Sequence, residues 1–166
     1  VSDILRYSIP THREKDVVVL DLADEDFPLP LNLLSMPSGI DRGNAAAQLM
    51  GILDRMYDFN STPTVADTMW ASLVTLLQDD AATVRDVGRL FKDEVYRERL
   101  LSQVTNVAAL EYWERFSQQT GSKDQFIRPV LWRLRALYGN SVLYPIVCHP
   151  RTLDFASLIA QNKIVL

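Results

Sequence analysis

Apolar and polar positions along this chain repeat with two different periods. Val17 to Leu22 is continuously apolar except for Asp21, and its three consecutive valines predict a strand buried on both faces, as in a parallel sheet. Val1 to Tyr7 reads as the end of a helix, and the "SIPTHREKD" that follows as a loop. Beyond the strand, Pro28, Pro30 and Pro37 forbid a regular helix, so "ADEDFPLPLNLLSMPSG" is an extended connection.

From Ser38 onward the period becomes helical. "SGID" has the form of a capping box, Ser38 with Asp41, opening a helix whose Ala46, Met50, Leu53 and Tyr57 share one face. Pro63 suits the first turn of the next helix, with Val65, Met69, Leu73, Leu76 and Leu77 as its stripe, and "DDAA" breaks it. "TVRD", Thr83 to Asp86, is a second capping box for a short helix through Phe91, and Asp93 caps another through Leu100 and Leu101. Val107 to Phe116 is a further helix stopped by Gly121, with Leu110, Trp113 and Phe116 three apart. "SKDQ" starts the next, which runs to Tyr138 with Ile127, Leu131, Leu134 and Tyr138 on one side. Pro129 is expected in its first turn and Gly139-Asn140 as its left-handed cap. Thr152 caps a last helix through Ala160, and Lys163 to Leu166 is the second strand candidate.

The expected fold is therefore mainly α: about six or seven helices inserted between two short strands of an α/β parallel sheet. Residues 1–37 belong to that sheet domain, 38–160 form the all-α insertion, and 161–166 return to the sheet. Two isolated strands do not make a stable sheet, so the remaining strands are expected outside this chain. The ends at Val1 and Leu166 fall inside regular elements, and both are expected to be cut ends.

Composition adds limits. The 48% hydrophobic and 23% charged content is that of a globular protein, and no apolar run approaches a membrane span. No leader segment is visible at the start. One cysteine, Cys148, excludes an internal disulfide and suits a reducing, cytoplasmic setting. It reads as a small packed residue, since Pro150 fixes the chain beside Cys148-His149. His12 and His149 have no second ligand at metal spacing. The net charge of −4 argues against non-specific nucleic-acid binding by the chain as a whole, but the charge is uneven. Residues 1–80 carry −8, 81–121 are neutral and 122–166 carry +4, and 13 of the 17 basic residues are Arg. Arginine favours bidentate contact with carboxylate or phosphate.

None of the six glycines precedes a Lys, so this chain cannot make a standard phosphate loop alone. Two clusters remain. Asp21 and Asp24, with Glu25 and Asp26, lie at the carboxyl end of the strand, where open parallel sheets gather ligands; they read either as a metal or nucleotide contact or as a solvated acidic loop. Arg128, Trp132 and Arg135 fall four and three apart on one helix, a pattern that binds a phosphate backbone and stacks on bases, or equally makes a surface cation–π pair, or leaves Trp132 in the core. Arg133 and Arg151 add positive charge on faces the spacing leaves open.

Taken in order, these segments resemble the HerA/FtsK-type P-loop ATPases and the conjugative coupling proteins of type IV secretion. The strand of that family ends in Leu-Asp-Pro-Ala-Asp, followed by a Pro and an Asn-Pro-Leu turn; here Leu20-Asp21, Ala23-Asp24, Pro28 and Asn32 match, with Leu22 and Leu33 in place of two prolines. "TVRDVGRLFKDEVYRERLL", "EYWERF" and "IRPVLWRLRALYGN" are similar to its inserted helical domain, and "LDFASLIAQNKIVL" to its return to the sheet. The resemblance implies that the two strands come from a RecA-like sheet and that the chain is a fragment of a DNA-translocating motor, a homo-hexamer using ATP and Mg2+ in the cytoplasm or at the cytoplasmic face of the inner membrane. Its helical insertion would meet DNA or secretion accessory proteins. The phosphate loop and the Mg2+-binding carboxylates would lie outside this chain, which is expected to be inactive alone. A stand-alone helical adaptor and a DNA-binding regulator are the rival readings.

Overall fold

The structure, a computed structural model, describes residues 8–22, 24, 26–36 and 39–166. It is mainly α-helical, with a small open sheet of two parallel strands. The chain divides into two compact units: Pro30–Thr152, and the described residues of Val1–Leu29 together with Leu153–Leu166.

The smaller unit holds the strands. Strand β1 (Val17–Val18) pairs in parallel with β2 (Ile164–Val165), Val17 opposite Ile164 and Val18 opposite Val165. The ladder continues through Leu166 N–H to the Val18 carbonyl at 3.0 Å and Leu20 N–H to the Leu166 carbonyl at 2.7 Å. The expected strand through Leu22 is thus shorter and barer than its apolar run implied. Val19 is 48% and Leu22 58% exposed, because among the described residues nothing pairs with the outer edge of β1. Side chains fasten the pair from before β1. Thr11–Asp16, expected as loop, is a 3-10 turn. From it Asp16 meets Lys163 at 3.2 Å, and the Arg13 guanidinium donates to the Asn162 carbonyl. The Lys163 ammonium holds the Asp16 carboxyl below its ordinary range against a weaker opposing effect of desolvation.

The larger unit is built around one buried helix. Helix α1 (Arg42–Tyr57) is followed by α2 (Pro63–Leu76), with Pro63 in its first turn as the sequence predicts. α2 packs against α1, α5 (Val107–Gln118) and α6 (Asp124–Tyr138), as well as the short α3 (Val87–Lys92) and α4 (Glu94–Leu101). The expected one-sided stripe is in fact burial on every side from Ala71 to Leu77. Its polar residues survive there because each hydroxyl donates back one turn: Thr68 to the Thr64 carbonyl at 2.6 Å, Ser72 to Thr68 at 2.6 Å, Thr75 to Ala71 at 2.8 Å. Phe91, Tyr112, Trp113 and Phe116 form an aromatic cluster beside them. Of the triplet on α5, Trp113 and Phe116 are buried while Leu110 is 38% exposed.

Several caps differ from expectation. Ser38, Pro37 and the helix end at Val1 to Tyr7 lie outside the described residues. The cap of α1 is Asp41, which accepts from Asn44 N–H at 2.8 Å, and the chain enters it through Gly39 at φ +88°. Pro129 stands inside α6 instead of in its first turn, since the helix begins at Asp124. Gly139 has φ −84°, so it is no left-handed cap. A Cβ there would stand 2.4 Å from the Arg135 carbonyl, and closeness of backbone is what requires glycine. Thr152 does not cap α8 (Phe155–Ala160); Asp154 does, accepting from Ser157 N–H at 2.9 Å. A helix the sequence left unassigned, α7 (Leu143–Val147), starts after Asn140, whose Oδ1 accepts from Val142 and Leu143 N–H.

No helix among the described residues is long and apolar enough to cross a membrane.

Candidate nucleic-acid interface

The 3-10 turn Val84–Asp86 leads into α3, with Arg85, Arg89 and Lys92 at successive spacings of four and three, so one helical face collects three cations. The start of this face is held by Thr83 and Asp86. The Asp86 carboxylate accepts from Thr83 N–H at 2.9 Å and from the Thr83 hydroxyl at 3.0 Å. Helix α6 brings Arg135 and Tyr138 to the same place, and α7 brings Tyr144. Together they line an open groove of about 780 Å³.

Neighbours set the geometry of each cation. Arg85 donates from Nη1 to the Tyr144 hydroxyl at 2.7 Å. Arg89 lies over the Tyr96 ring at 3.9 Å and meets Asp93 at 3.1 Å. Lys92 and Arg135 are exposed. Against these four cations the groove lining carries one carboxylate, that of Asp86, already engaged by Thr83. Cys148 lies in the same lining, half-buried against the core, and burial pushes its thiol above the ordinary range. Fixed guanidinium groups between phenol edges can hold phosphate oxygens bidentately, and several in a row can follow a phosphate backbone. No glycine-rich turn opening a helix is among the described residues that line the groove.

The residues singled out from the sequence separate. Arg128, Trp132 and Arg135 are all exposed on α6, and Trp132, at 72% exposure, is not a core residue. Trp132 and Arg135 share a second, smaller hollow with Tyr57, Arg133 and Ala136, so Arg135 borders both concavities while Arg128 borders neither. Arg133 is structural: it donates to the Asp58 carbonyl at 3.1 Å, the Pro129 carbonyl at 3.1 Å and the Ser61 hydroxyl at 2.7 Å. Arg151 is exposed and follows Pro150 at the groove's edge. Asp24 is a turn former whose Oδ1 accepts from Asp26 N–H at 3.0 Å and Phe27 N–H at 2.9 Å, and the Asp21 carbonyl accepts from Asp24 N–H. Among the described residues no three His, Cys, Asp or Glu side chains converge as metal ligands would. Arg85, Arg89 and Lys92 were missed because their segment was read for its cap and its resemblance and not for its charges, although their spacing was visible. No protein family, curated protein or solved structure matches this chain.

Proposed function

We propose that this chain is the helical insertion of a HerA/FtsK- or conjugative-coupling-type P-loop ATPase, carried between two strands of a RecA-like sheet, and that its basic groove contacts the phosphate backbone of DNA. The observation that carries the reading is the parallel pairing of Val17–Val18 with Ile164–Val165. A parallel pair requires a crossover, and here the whole helical unit stands in that position. The bare outer edge of β1 is what a sheet with further strands would cover. ATP and Mg2+ would be bound by parts of the motor beyond this chain, which supplies no phosphate loop.

Two measurements test it. The gene flanking these residues should encode G-x-x-x-x-G-K-[ST] upstream and an apolar strand ending in Asp-Glu downstream; neither being present would end the motor reading. For the DNA contact, the chain should bind a labelled DNA with a log–log salt slope of about −3 to −4, the value for roughly four neutralised phosphates. The double variant Arg85→Glu, Arg89→Glu should flatten that slope by about half or more. A slope unchanged in the variant would remove the groove from the interface.

A further inference from the structure

The hollow on the other side of Arg135 has a different chemistry from the groove. Its walls are the Tyr57 ring, the Trp132 indole and Ala136, with the stems of Arg133 and Arg135, around a space of about 480 Å³. Trp132 is 72% exposed, an unusual state for the largest apolar side chain, and Met56, next to Tyr57, is 57% exposed. Trp, Tyr and Arg together are the composition of an interface hot spot. The charge around the hollow is one-sided: no carboxylate lines it. The guanidinium of Arg133 is already committed to Asp58, Pro129 and Ser61. Arg128 and Arg135 stand about one turn to either side of Trp132, separated by about 10 Å along the axis. That separation matches about three residues of extended chain.

We infer that Trp132 and its hollow form a docking site for an acidic segment of a partner protein, one apolar side chain seated against the indole and a carboxylate on each side of it, about three residues apart, paired with Arg128 and Arg135. The inference is independent of the motor reading. It also gives the surface of α6 two tasks, protein on the Trp132 side and phosphate on the groove side, with Arg135 shared between them. A phosphate backbone needs a longer row of cations than this hollow provides, whereas a pair of carboxylates around one apolar anchor needs what is present.

The test uses the full chain and a short dye-labelled peptide in which Asp and Glu stand three residues apart with a Phe between them, with a control peptide carrying Ala for Phe. Binding is read by anisotropy, and burial of Trp132 by a blue shift of its emission. The Phe peptide should bind and shift the emission, and the Ala peptide should bind about tenfold more weakly or worse. Trp132→Ala should weaken the Phe peptide by a similar factor while leaving DNA binding unchanged. Arg85→Glu with Arg89→Glu should do the reverse. The exposure of Trp132 makes its truncation safe for folding, which circular dichroism checks. Equal binding of the two peptides, undiminished binding by Trp132→Ala, or quenching of Trp132 by single-stranded DNA in preference to the peptide would each overturn the inference; the last would assign the indole to base stacking.

Discussion

Asn32 shows what one buried side chain can hold together. It is 3% exposed; its Nδ2 donates to the Ala82 carbonyl at 2.8 Å and the Pro150 carbonyl at 3.4 Å, while its Oδ1 accepts from Leu34 N–H at 2.9 Å. Three distant stretches of the helical unit meet at this amide. Asn32→Asp would turn a carboxylate oxygen toward two carbonyls, and it should lower unfolding stability by about 3 kcal/mol in a urea titration. Thr75 is a similar case. Its hydroxyl accepts from the buried Trp113 indole N–H at 2.8 Å while donating to Ala71. Thr75→Val keeps the volume but strands the indole, so a loss of about 1–3 kcal/mol is expected, and a loss near zero would show the bond is dispensable. Asp79 supplies a pH signature. Burial pushes its carboxyl up, but the Ala81 N–H, the Arg99 guanidinium at 2.9 Å and the Tyr96 hydroxyl at 3.3 Å outweigh burial and hold it below the ordinary value. A carboxyl lowered on folding contributes stability above its unfolded pKa and loses it as pH falls through the folded one. The deficit of Asp79→Asn against the parent protein should therefore be present at neutral pH and shrink below about pH 4.

At the scale of elements, α6 is the instructive one. It carries Pro129 in its interior, where proline removes a backbone hydrogen bond and crowds the preceding turn. The helix persists because Val130, Leu134 and Leu137 are buried behind it. Pro129→Ala should raise thermal stability, by about 1–3 kcal/mol from the propensity difference. No gain would mean the helix is bent to fit the ring. Gly139 at the other end should tolerate nothing larger: Gly139→Ala forces the Arg135 carbonyl to move and should lower the melting temperature. Most helices of the larger unit were legible from period and punctuation alone. Pro63 and Asp93 punctuate the chain as their chemistry dictates, whereas α5 ends at Gln118, before Gly121 is reached. Pro129 and Gly139 were misread because burial and backbone approach, rather than local preference, decided their positions.

At the scale of the molecule, the two units differ in how they are held. The larger has a continuous core, from Leu53 and Met69 to Leu100 and Leu134. The smaller has a two-residue ladder, with no fully buried residue in either strand or in α8. A pair of short strands is marginal by itself. Amide hydrogen exchange should therefore be fast at Leu20 and Leu166, and slowest in α2, where protection should approach the global value. Equal protection in both places would mean that something beyond this ladder stabilises the strands.

The order and type of most helices and the excess of cations toward the C-terminus were determined by the sequence alone, because period, caps and charge are properties of neighbouring residues. The candidate site was only half present there. Arg135 could be picked out along α6, but its meeting with Arg85, Arg89 and Lys92 in one groove, and with Tyr57 in another, depends on how α6 packs beside α3 and near the end of α1. The tertiary structure also decided that α2 is enclosed on every side and that Arg133 serves the fold. Such facts belong to pairs of residues far apart in the chain, and no local pattern encodes which of them become neighbours.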